Sequence, residues 1–327
     1  MHGYLGIDVG SVSTNIVIID DQNQVKHKTY IRTQGQPIKA VQKGLQKIHE
    51  EISEELTIMG VGTTGSARNL TALMVGADVV KNEITAHAVA ASTMVPDAKT
   101  VIEIGGQDSK IIILRNGVVA DFAMNTVCAA GTGSFLDQQA SRLELSIDEF
   151  GKIALKSRNP VRIAGRCSVF AESDMIHKQQ MGHALKDIVA GLCEALVRNY
   201  LNNLGKGKNI QSKIVFQGGV AANHGMIEAF KKELNCEIIV PEYHDVMGAI
   251  GSALLAKETT KGHNTKFKGF RSAMGQYQAN SFECNSCANL CEVIQILEGH
   301  KILARWGDRC GKWEDIGASS HECPVIS

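Results

Sequence analysis

The chain has 327 residues, 44% of them hydrophobic and 21% charged, a mixture that fits two globular domains or one large α/β body with an appendage. Its 34 Lys and Arg residues balance its 34 Asp and Glu residues, so bulk charge gives no reason to expect binding to nucleic acid or to an anionic membrane. No apolar run approaches the ~20 residues needed to span a bilayer, and the first residues lack the basic and apolar regions of a signal peptide.

These features predict a soluble, cytoplasmic protein. In a reducing compartment, nine cysteines are better explained as metal ligands or buried thiols than as disulfides. The sequence contains no Gly-x-x-x-x-Gly-Lys-Ser/Thr motif, so any nucleotide binding is not of the P-loop kind.

The first predicted element is a strand hairpin within residues 4–20. Its turn, Asp8–Thr14, is rich in glycine and hydroxyl side chains, so the backbone can approach a ligand closely and its N–H groups can line a phosphate site. Asp8 stands at the end of the first strand, where it could hold Mg²⁺ through water. Taken alone the pattern is weak, because an ordinary hairpin turn explains it equally well.

A second segment, Ile102–Leu114, repeats Ile7–Ile19 position for position. Both have an acidic residue second, a glycine fourth, a hydroxyl residue eighth and apolar residues from the tenth position onward. This match predicts a duplicated domain whose two turns face each other across a cleft. We place the first lobe at residues 1–96 and the second at residues 97–256.

Helical patterns and one glycine turn fill the rest of this body. Periodicity predicts helices around Ile38–Leu56, Glu83–Met94 and Ala184–Leu204, and another after Val246. Within Lys213–His224 a strand, a Gly-Gly turn and a helix follow one another. The turn is either a routine connection or a place where a flat adenine ring lies against bare backbone.

Two cysteines in the second lobe have similar surroundings. Cys128 follows a strand-like run and precedes a glycine turn and a helical pattern, and Cys167 directly precedes another helical pattern. Helix N-termini carry unpaired N–H groups and partial positive charge, which lower the pKa of a thiol. Because a [4Fe–4S] cluster usually needs four cysteines, two identical chains could complete one with this pair from each. The alternative is two small buried residues, as Cys193 and Cys236 are expected to be.

Residues 257–280 are polar and aperiodic and are predicted to be a linker to a tail at residues 281–327. The tail carries closely spaced cysteines and one further downstream: Cys284, Cys287, Cys291 and Cys310. With a hairpin between them, this spacing predicts a small zinc ribbon or a second Fe–S centre, and the alternative is free thiols. The role of Cys323 is open.

Together these motifs resemble the ATP-dependent activators of 2-hydroxyacyl-CoA dehydratases, close to the ATPase subunits of benzoyl-CoA reductase and the reductases of double-cubane cluster proteins. The segments that carry the resemblance are Gly6–Thr14, Ile104–Lys110, Cys128–Gly133, Cys167–Ser173 and Gln217–Asn223. The resemblance implies a duplicated α/β fold of the acetate/sugar kinase–Hsp70–actin type, here with a small Cys-rich C-terminal appendage. It also implies a homodimer bridged by one [4Fe–4S] cluster, with Cys128 and Cys167 of each subunit as ligands.

On this interpretation ATP lies in the cleft and is hydrolysed to ADP. The catalytic candidates are Asp8 as the Mg²⁺ holder, Glu103 or Asp108 as its assistants, and Gln107 to orient the attacking water. The candidates for the phosphates are Ser11, Val12, Ser13, Thr14, Gly105 and Gly106, and those for adenine are Gly218, Gly219, Val220 and Asn223.

The resemblance further implies a partner Fe–S enzyme that receives single low-potential electrons, and a ferredoxin- or flavodoxin-like protein that supplies them. Two other functions stay open at this point. A small-molecule kinase of the same fold would need no cluster cysteines, and an ATP-dependent Fe–S sensor would not couple ATP turnover to electron transfer.

Overall fold

The structure is a computed structural model that describes residues 2–52, 56–125 and 127–313. Its first half forms a five-stranded sheet from β1 (His2–Val9), β2 (Ser13–Ile19), β3 (Val25–Arg32), β4 (Thr57–Thr64) and β5 (Val79–Val80). The strand order is β3-β2-β1-β4-β5, with antiparallel pairing from β3 to β1 and parallel pairing from β1 to β5.

The second half repeats this sheet with β6 (Thr100–Ile104), β7 (Ser109–Arg115), β8 (Val118–Asn125), β9 (Ile214–Gln217) and β10 (Ile238–Ile239). The order is β8-β7-β6-β9-β10, and parallel and antiparallel pairs fall at the same places. Equivalent residues share the same register, since Asp8 pairs with Asn15 and Glu103 pairs with Lys110. The predicted duplicated fold is therefore confirmed.

Helices occupy equivalent places in the two halves. The first half has α1 (Pro37–Glu51), α2 (Arg68–Val75) and α3 (Glu83–Met94). The second has α4 (Gly133–Arg142), α5 (Ile147–Ala154), α6 (Ser168–Gln180) and α7 (Leu185–Tyr200) between β8 and β9, then α8 (His224–Leu234) and α9 (Met247–Thr259). Local signals start two of them, since the Asn82 side chain caps α3 and Ser146 forms a capping box with Glu149 at α5.

The last helices of the two halves, α3 and α9, lie between the two sheets in one shared apolar cluster. That cluster contains Val17 and Ile19 from the first sheet and Val101 and Ile112 from the second. Strands covered on both faces by helices read as continuous apolar runs, which is the pattern of β2 and β7.

Two glycines allow α9 to lie directly on the first sheet. A Cβ added at Gly6 would lie 1.9 Å from Ala249 O, and one at Gly62 would lie 2.0 Å from Ser252 O. Any side chain at either position would push the helix away from β1 and β4.

The appendage consists of β11 (Tyr277–Glu283), β12 (Glu292–Glu298) and β13 (Lys301–Trp306) in one antiparallel sheet. It packs on the first half, where Tyr277 and Ile296 join the cluster that contains Leu5 of β1 and Val41 of α1. The segment before it is also attached, because Lys266 N donates to Asp78 Oδ1 at 2.7 Å.

The helix predicted to start after Val246 is α9, and it continues through Thr259, inside the segment predicted as a linker. The domain boundaries given by the sequence stay predictions. Among the described residues, no helix is both long and apolar enough to cross a bilayer.

Candidate nucleotide site and cysteine pair

A cleft of about 510 Å³ opens between the two halves. The turns between β1 and β2, between β6 and β7 and after β9 line it, because these strand ends meet at one side of the molecule. It gathers most of the residues predicted to bind nucleotide or act in catalysis: Asp8, Ser11, Val12, Ser13, Glu103, Gly105, Gly106, Gln107, Asp108, Gly218, Gly219, Val220 and Asn223.

Thr14 is the predicted nucleotide-binding residue that does not line the cleft. Its buried hydroxyl lies 3.0 Å from the hydroxyl of Thr33, which in turn donates to Gly10 O at 2.9 Å. The structure thus places Thr14 beneath the first turn, where this chain of hydrogen bonds fixes the turn's shape.

A buried ion cluster forms the acidic wall of the cleft, and sequence reasoning missed two of its members. Lys110 Nζ lies 2.9 Å from Glu83, 2.9 Å from Glu103 and 3.0 Å from Asp108, and only 2% of the lysine side chain is exposed. Burial lowers the pKa of Lys110, but the three carboxylates outweigh it and hold that pKa above its ordinary value. Lys110 is therefore charged at every physiological pH.

The two equivalent acids of the repeat, Asp8 and Glu103, both have a pKa raised to about 7. Burial is the largest cause for each, and the Glu83 charge adds to it at Asp8. Gly65 and Gly248 enclose the Asp8 carboxyl, since an added Cβ would lie 2.6 Å and 2.2 Å from its two oxygens.

This acidic wall fits Mg²⁺ bound by one or two carboxylates, with phosphate and water as the other ligands. Four carboxylates, those of Asp8, Glu83, Glu103 and Asp108, interact electrostatically around the single lysine, so the cleft carries surplus negative charge when they are ionised. Carboxylate oxygens are the ligands that Mg²⁺ prefers, usually shared with phosphate and water.

His87 and Gln217 form a second buried pair at the cleft that sequence reasoning missed. Gln217 Nε2 donates to His87 Nδ1 at 2.7 Å. Burial, followed by the Lys110 charge, lowers the pKa of His87 to about 3, so the ring is neutral. In the sequence, Lys110 and His87 stand out only as polar residues beside runs of apolar ones.

In the Gly-Gly turn after β9, Gly219 has the open backbone that a flat ring needs, whereas Gly218 packs closely against β6. Gly218 has φ +91°, and a Cβ there would lie 2.4 Å from Ile104 O, whereas a Cβ at Gly219 would meet no atom within 4 Å. Beside it, the amide nitrogen of Asn223 is buried and has no hydrogen-bond partner among the described residues. An unpaired donor next to bare backbone suits a polar, planar ligand group such as a nucleobase.

Cys128 and Cys167 each sit at the N-cap of a helical segment. Cys167 precedes α6 directly, whereas Cys128 precedes a short 3-10 turn, Ala129–Gly131, and α4 follows that turn. Both thiols are half-buried. The side chain of Asn125 holds the first loop, because its Oδ1 accepts from Cys128 N at 3.0 Å and its Nδ2 donates to Cys128 O at 2.8 Å.

One buried residue of α7, Asn199, contacts both cysteine loops. Its Nδ2 donates to Gly165 O at 2.6 Å and to Arg166 O at 3.2 Å, immediately before Cys167. Its Oδ1 stands 3.0 Å from where a Cβ of Gly131 would be, in the turn after Cys128. The two loops are therefore neighbours, held together by one amide side chain.

The surface around this cysteine pair is apolar. Val127 is 94% exposed and Phe170 67% exposed. Further large apolar side chains are exposed on the strand before Cys128 and on the segments after Cys167: Val118, Phe122, Met124, Val169, Ile176, Met181 and Leu185. We call this set, with Val127 and Phe170, the cysteine face.

Hydrogen bonds join the turn between β6 and β7 to α4, the helix that follows Cys128. Gly133 N donates to Gly105 O and Ser134 N donates to Gly106 O, both at 2.9 Å. The start of α4 is therefore part of the same hydrogen-bonded unit as the turn that lines the cleft.

The remaining cysteines divide into two groups. Cys193 is buried in α7, as predicted, and burial raises its pKa to about 12. The tail cysteines lie in the appendage, with Cys284 buried, Cys291 half-buried, and Cys287 and Cys310 exposed. Cys323 falls outside the described residues. In residues 2–52, 56–125 and 127–313, no three His, Cys, Asp or Glu side chains stand close enough together to hold a metal ion as they are placed.

A family model described as the BadF/BadG/BcrA/BcrD ATPase family matches residues 5–256. The chain belongs to this ATPase family. The match covers both sheets, the cleft and the cysteine pair, and it ends before the appendage.

Individual relatives agree with this assignment. The chain is 35% identical to the (R)-2-hydroxyglutaryl-CoA dehydratase activating ATPase of Acidaminococcus fermentans over 77% of this chain and 96% of that protein. It also superposes on the structure of the activator of the 2-hydroxyisocaproyl-CoA dehydratase from Clostridium difficile with bound ADPNP. That comparison gives a TM-score of 0.71 and 34% identity, and covers 80% of this chain and 96% of the other.

A more distant structure shows the fold alone. A xyloylose kinase from Brucella ovis matches with a TM-score of 0.56 at 13% identity, covering 80% of this chain and 91% of that one. The α/β architecture is thus shared with sugar kinases, as predicted.

Proposed function

We propose that the protein is an ATP-driven electron donor that activates an Fe–S partner enzyme, such as a 2-hydroxyacyl-CoA dehydratase or a double-cubane cluster protein. Two named relatives are activators of such dehydratases. The observation that carries the proposal is the hydrogen-bonded connection between the phosphate turn at Gly105–Gly106 and the loop of Cys128.

The cysteine pair fits a [4Fe–4S] cluster shared by two copies of the chain. Cys128 and Cys167 supply two half-buried thiols at the N-caps of helical segments, and a two-fold axis through the cysteine face would bring the other two. When bound, the cluster would supply one-electron chemistry, reduced by a ferredoxin- or flavodoxin-like protein and oxidised by the partner enzyme. The exposed apolar side chains around the pair favour such a homodimer.

ATP would occupy the cleft with its phosphates on the two turns. Backbone and hydroxyl donors at Ser11, Val12, Ser13, Gly105 and Gly106 would bind the phosphates, and Thr14 would hold the first turn from below. Adenine would lie on Gly218 and Gly219, beside Val220 and the unpaired amide nitrogen of Asn223.

The acidic wall would handle Mg²⁺ and water. Asp8, with Glu103 or Asp108, would hold the ion, whose charge returns the raised pKa of Asp8 and Glu103 toward ordinary values. Gln107 lines the same cleft and carries an amide that can orient the attacking water without titrating. Lys110 would hold the three acids around it in fixed positions.

Two structural routes would transmit the state of the cleft to the cysteines. The first is the pair of hydrogen bonds from the start of α4 to Gly105 and Gly106. The second runs through α7, where Tyr200 OH donates to Lys110 O at 2.6 Å and the adjacent Asn199 holds the loop before Cys167. A shift of the phosphate turn therefore moves both loops together.

The experiment that tests the proposal measures iron and acid-labile sulfide in anaerobically purified protein, wild type beside Cys128→Ser. We expect about two irons per chain that depend on Cys128, equivalent to one four-iron cluster per dimer. ATP hydrolysis by isolated protein should survive the substitution, whereas ATP-dependent reduction of the partner should not. Wild-type protein that contains no iron dependent on Cys128, or that phosphorylates a small molecule without iron, would overturn the proposal.

A further inference from the structure

The appendage is the part of the chain that lies beyond the family match. It is a separate three-stranded sheet, β11–β13, and it carries a group of cysteines that the ATP cleft and the cysteine face do not use: Cys284, Cys287, Cys291 and Cys310.

The strand register brings Cys284 and Cys291 opposite each other. Glu283, the last residue of β11, pairs with Glu292, the first of β12. The ladder continues by one more bond, since Cys284 N donates to Cys291 O at 2.8 Å. Residues paired in this way have Cα atoms about 5 Å apart, so the two cysteines close the base of the loop that contains Cys287.

The third strand delivers Cys310 to the same end of the sheet. Strand β13 ends at Trp306, which pairs with Ile294 near the start of β12. Gly307 follows with φ +110°, and a Cβ there would lie 2.5 Å from Glu292 O. The chain leaves β13 beside the Cys284–Cys291 base.

Side chains then fold the Cys310 segment over the cysteine loop. Lys312 Nζ hydrogen-bonds to Ser286 Oγ, within the loop, and the Trp313 ring packs edge-on against Phe282 of β11 with centroids 5.0 Å apart. Asp308 Oδ2 accepts from Trp313 N at 3.2 Å, which closes residues 308–313 into a compact turn around Cys310.

Four soft sulfur donors thus converge on one end of a small sheet, with the Cys-x-x-Cys spacing typical of thiolate metal sites. As placed in the described residues, the exposed thiols of Cys287 and Cys310 do not form a closed metal site with the other cysteines. Both thiols are exposed, so their side chains can change rotamer without repacking the interior of the sheet.

We propose that Cys284, Cys287, Cys291 and Cys310 bind a second metal centre through four thiolates, separate from the cysteine pair of the second half. Zinc and an iron–sulfur cluster both use this ligand set. The proposal does not rest on the electron-donor function, because the appendage site draws its ligands from one chain.

The test is metal analysis of the full-length protein, purified anaerobically in four forms: wild type, Cys287→Ser, the double variant Cys128→Ser with Cys167→Ser, and Cys236→Ser. We expect the double variant and the Cys236→Ser control to retain either about one zinc per chain or about four irons with sulfide per chain. Cys287→Ser should reduce that metal at least fivefold. Zinc without sulfide identifies a zinc site, and iron with sulfide identifies a cluster.

Because Cys287 is exposed, its replacement should leave the fold and ATP hydrolysis intact, which separates metal loss from unfolding. A thiol assay on wild type provides the second readout: a chelator should increase the number of thiols that react with a thiol-specific dye. Only trace metal in the double variant, or metal content unaffected by Cys287→Ser, would overturn the proposal. Loss of iron from the double variant alone concerns only the cysteine pair.

Discussion

The two halves of the ATPase body have the same sheet, the same strand order and the same register, but they differ at two places. Asn15 of the first half becomes Lys110 in the second. Between the third and fourth strands, the described residues of the first half form α1 alone, whereas the second half has α4–α7 and both cysteines of the pair. The shared features build the cleft, and the differences hold the chemistry proposed for each half.

The two segments inserted between the third and fourth strands, α1 and α4–α7, also differ in what covers them. The segment that leads into the appendage lies on α1, where Phe270 stacks on His49 and Gln42 Nε2 donates to Gly275 O at 2.8 Å. On the cysteine face, Phe170 and Val127 stay exposed in the single chain. The insertion in the first half, α1, is therefore covered by other residues of the same chain. The insertion in the second half, α4–α7, leaves an apolar face that a second copy could cover.

The largest effect should come from Lys110 of β7, the position that corresponds to Asn15 of β2. Lys110→Met should destabilise the protein by about 3–5 kcal/mol, because it leaves the buried carboxylate of Glu103 and the partly buried ones of Glu83 and Asp108 without their cation. ATP hydrolysis should fall with it. The matched change in the first half, Asn15→Leu, removes only a 3.4 Å contact to Ser13 and should cost far less. Urea unfolding and steady-state ATP hydrolysis measure both, and equal losses would show that the halves do not differ in this way.

The covered and uncovered insertions can be compared through two exposed apolar residues. On the proposed homodimer, Phe170→Ser on the cysteine face should weaken dimerisation roughly 10- to 100-fold, since burying a phenylalanine contributes about 1.5–3 kcal/mol. Met274→Ser, an 80% exposed residue on the appendage side, should leave the dimer unchanged. Sedimentation over a concentration series measures the dissociation constant. A dimer that responds to Met274 and not to Phe170 would place the interface on the other half.

How much of this comparison the sequence predicts depends on how local each signal is. The two turns were found because Ile7–Ile19 and Ile102–Leu114 repeat each other, and a repeat needs no knowledge of the fold. The role of Glu83 was missed because the acid comes from the start of α3 and meets Lys110 only when the sheets assemble. The attachment of the appendage was missed because single apolar residues such as Tyr277 and Phe270, spaced along a polar stretch, give no periodic pattern.

The same reasoning applies to the cysteine pair. The helix starts after the cysteines can be read from glycine and hydroxyl residues, and the glycine turn predicted after Cys128 does separate it from α4. Asn199 lies in an amphipathic helix as one polar residue among many. Only the packed structure places it against both loops.

A smaller effect should come from the residue that joins these loops. Asn199→Ala removes donors from two backbone carbonyls near Cys167, at a cost of about 1–3 kcal/mol. On the proposed function, the rate at which a chelator removes iron should rise, while ATP binding in the cleft should persist. The exposed neighbour Asn202→Ala is the control. If both variants lose iron at the wild-type rate, Asn199 does not hold the cysteine loops in place.

A further comparison concerns the equivalent acids Asp8 and Glu103 and is visible as a pH dependence. Asp8 and Glu103 have a pKa of about 7 in the folded protein, and burial is the main cause. In the unfolded chain these carboxyls titrate at roughly 4. Between these values the native state binds protons that the unfolded state does not, so the free energy of unfolding of the nucleotide-free protein falls as pH rises from about 4 to about 7.

Asp8→Asn should remove part of that slope and raise stability near pH 8, whereas the exposed surface change Asp97→Asn should leave the slope unchanged. Saturating Mg²⁺ should flatten the slope in wild type, because the ion stabilises the ionised carboxyls, and it should have less effect on Asp8→Asn. Thermal melts at a series of pH values, with and without Mg²⁺, measure each term. If Glu103 alone set the slope, Asp8→Asn would behave as wild type, and the two halves would differ in their acids as well as at Lys110.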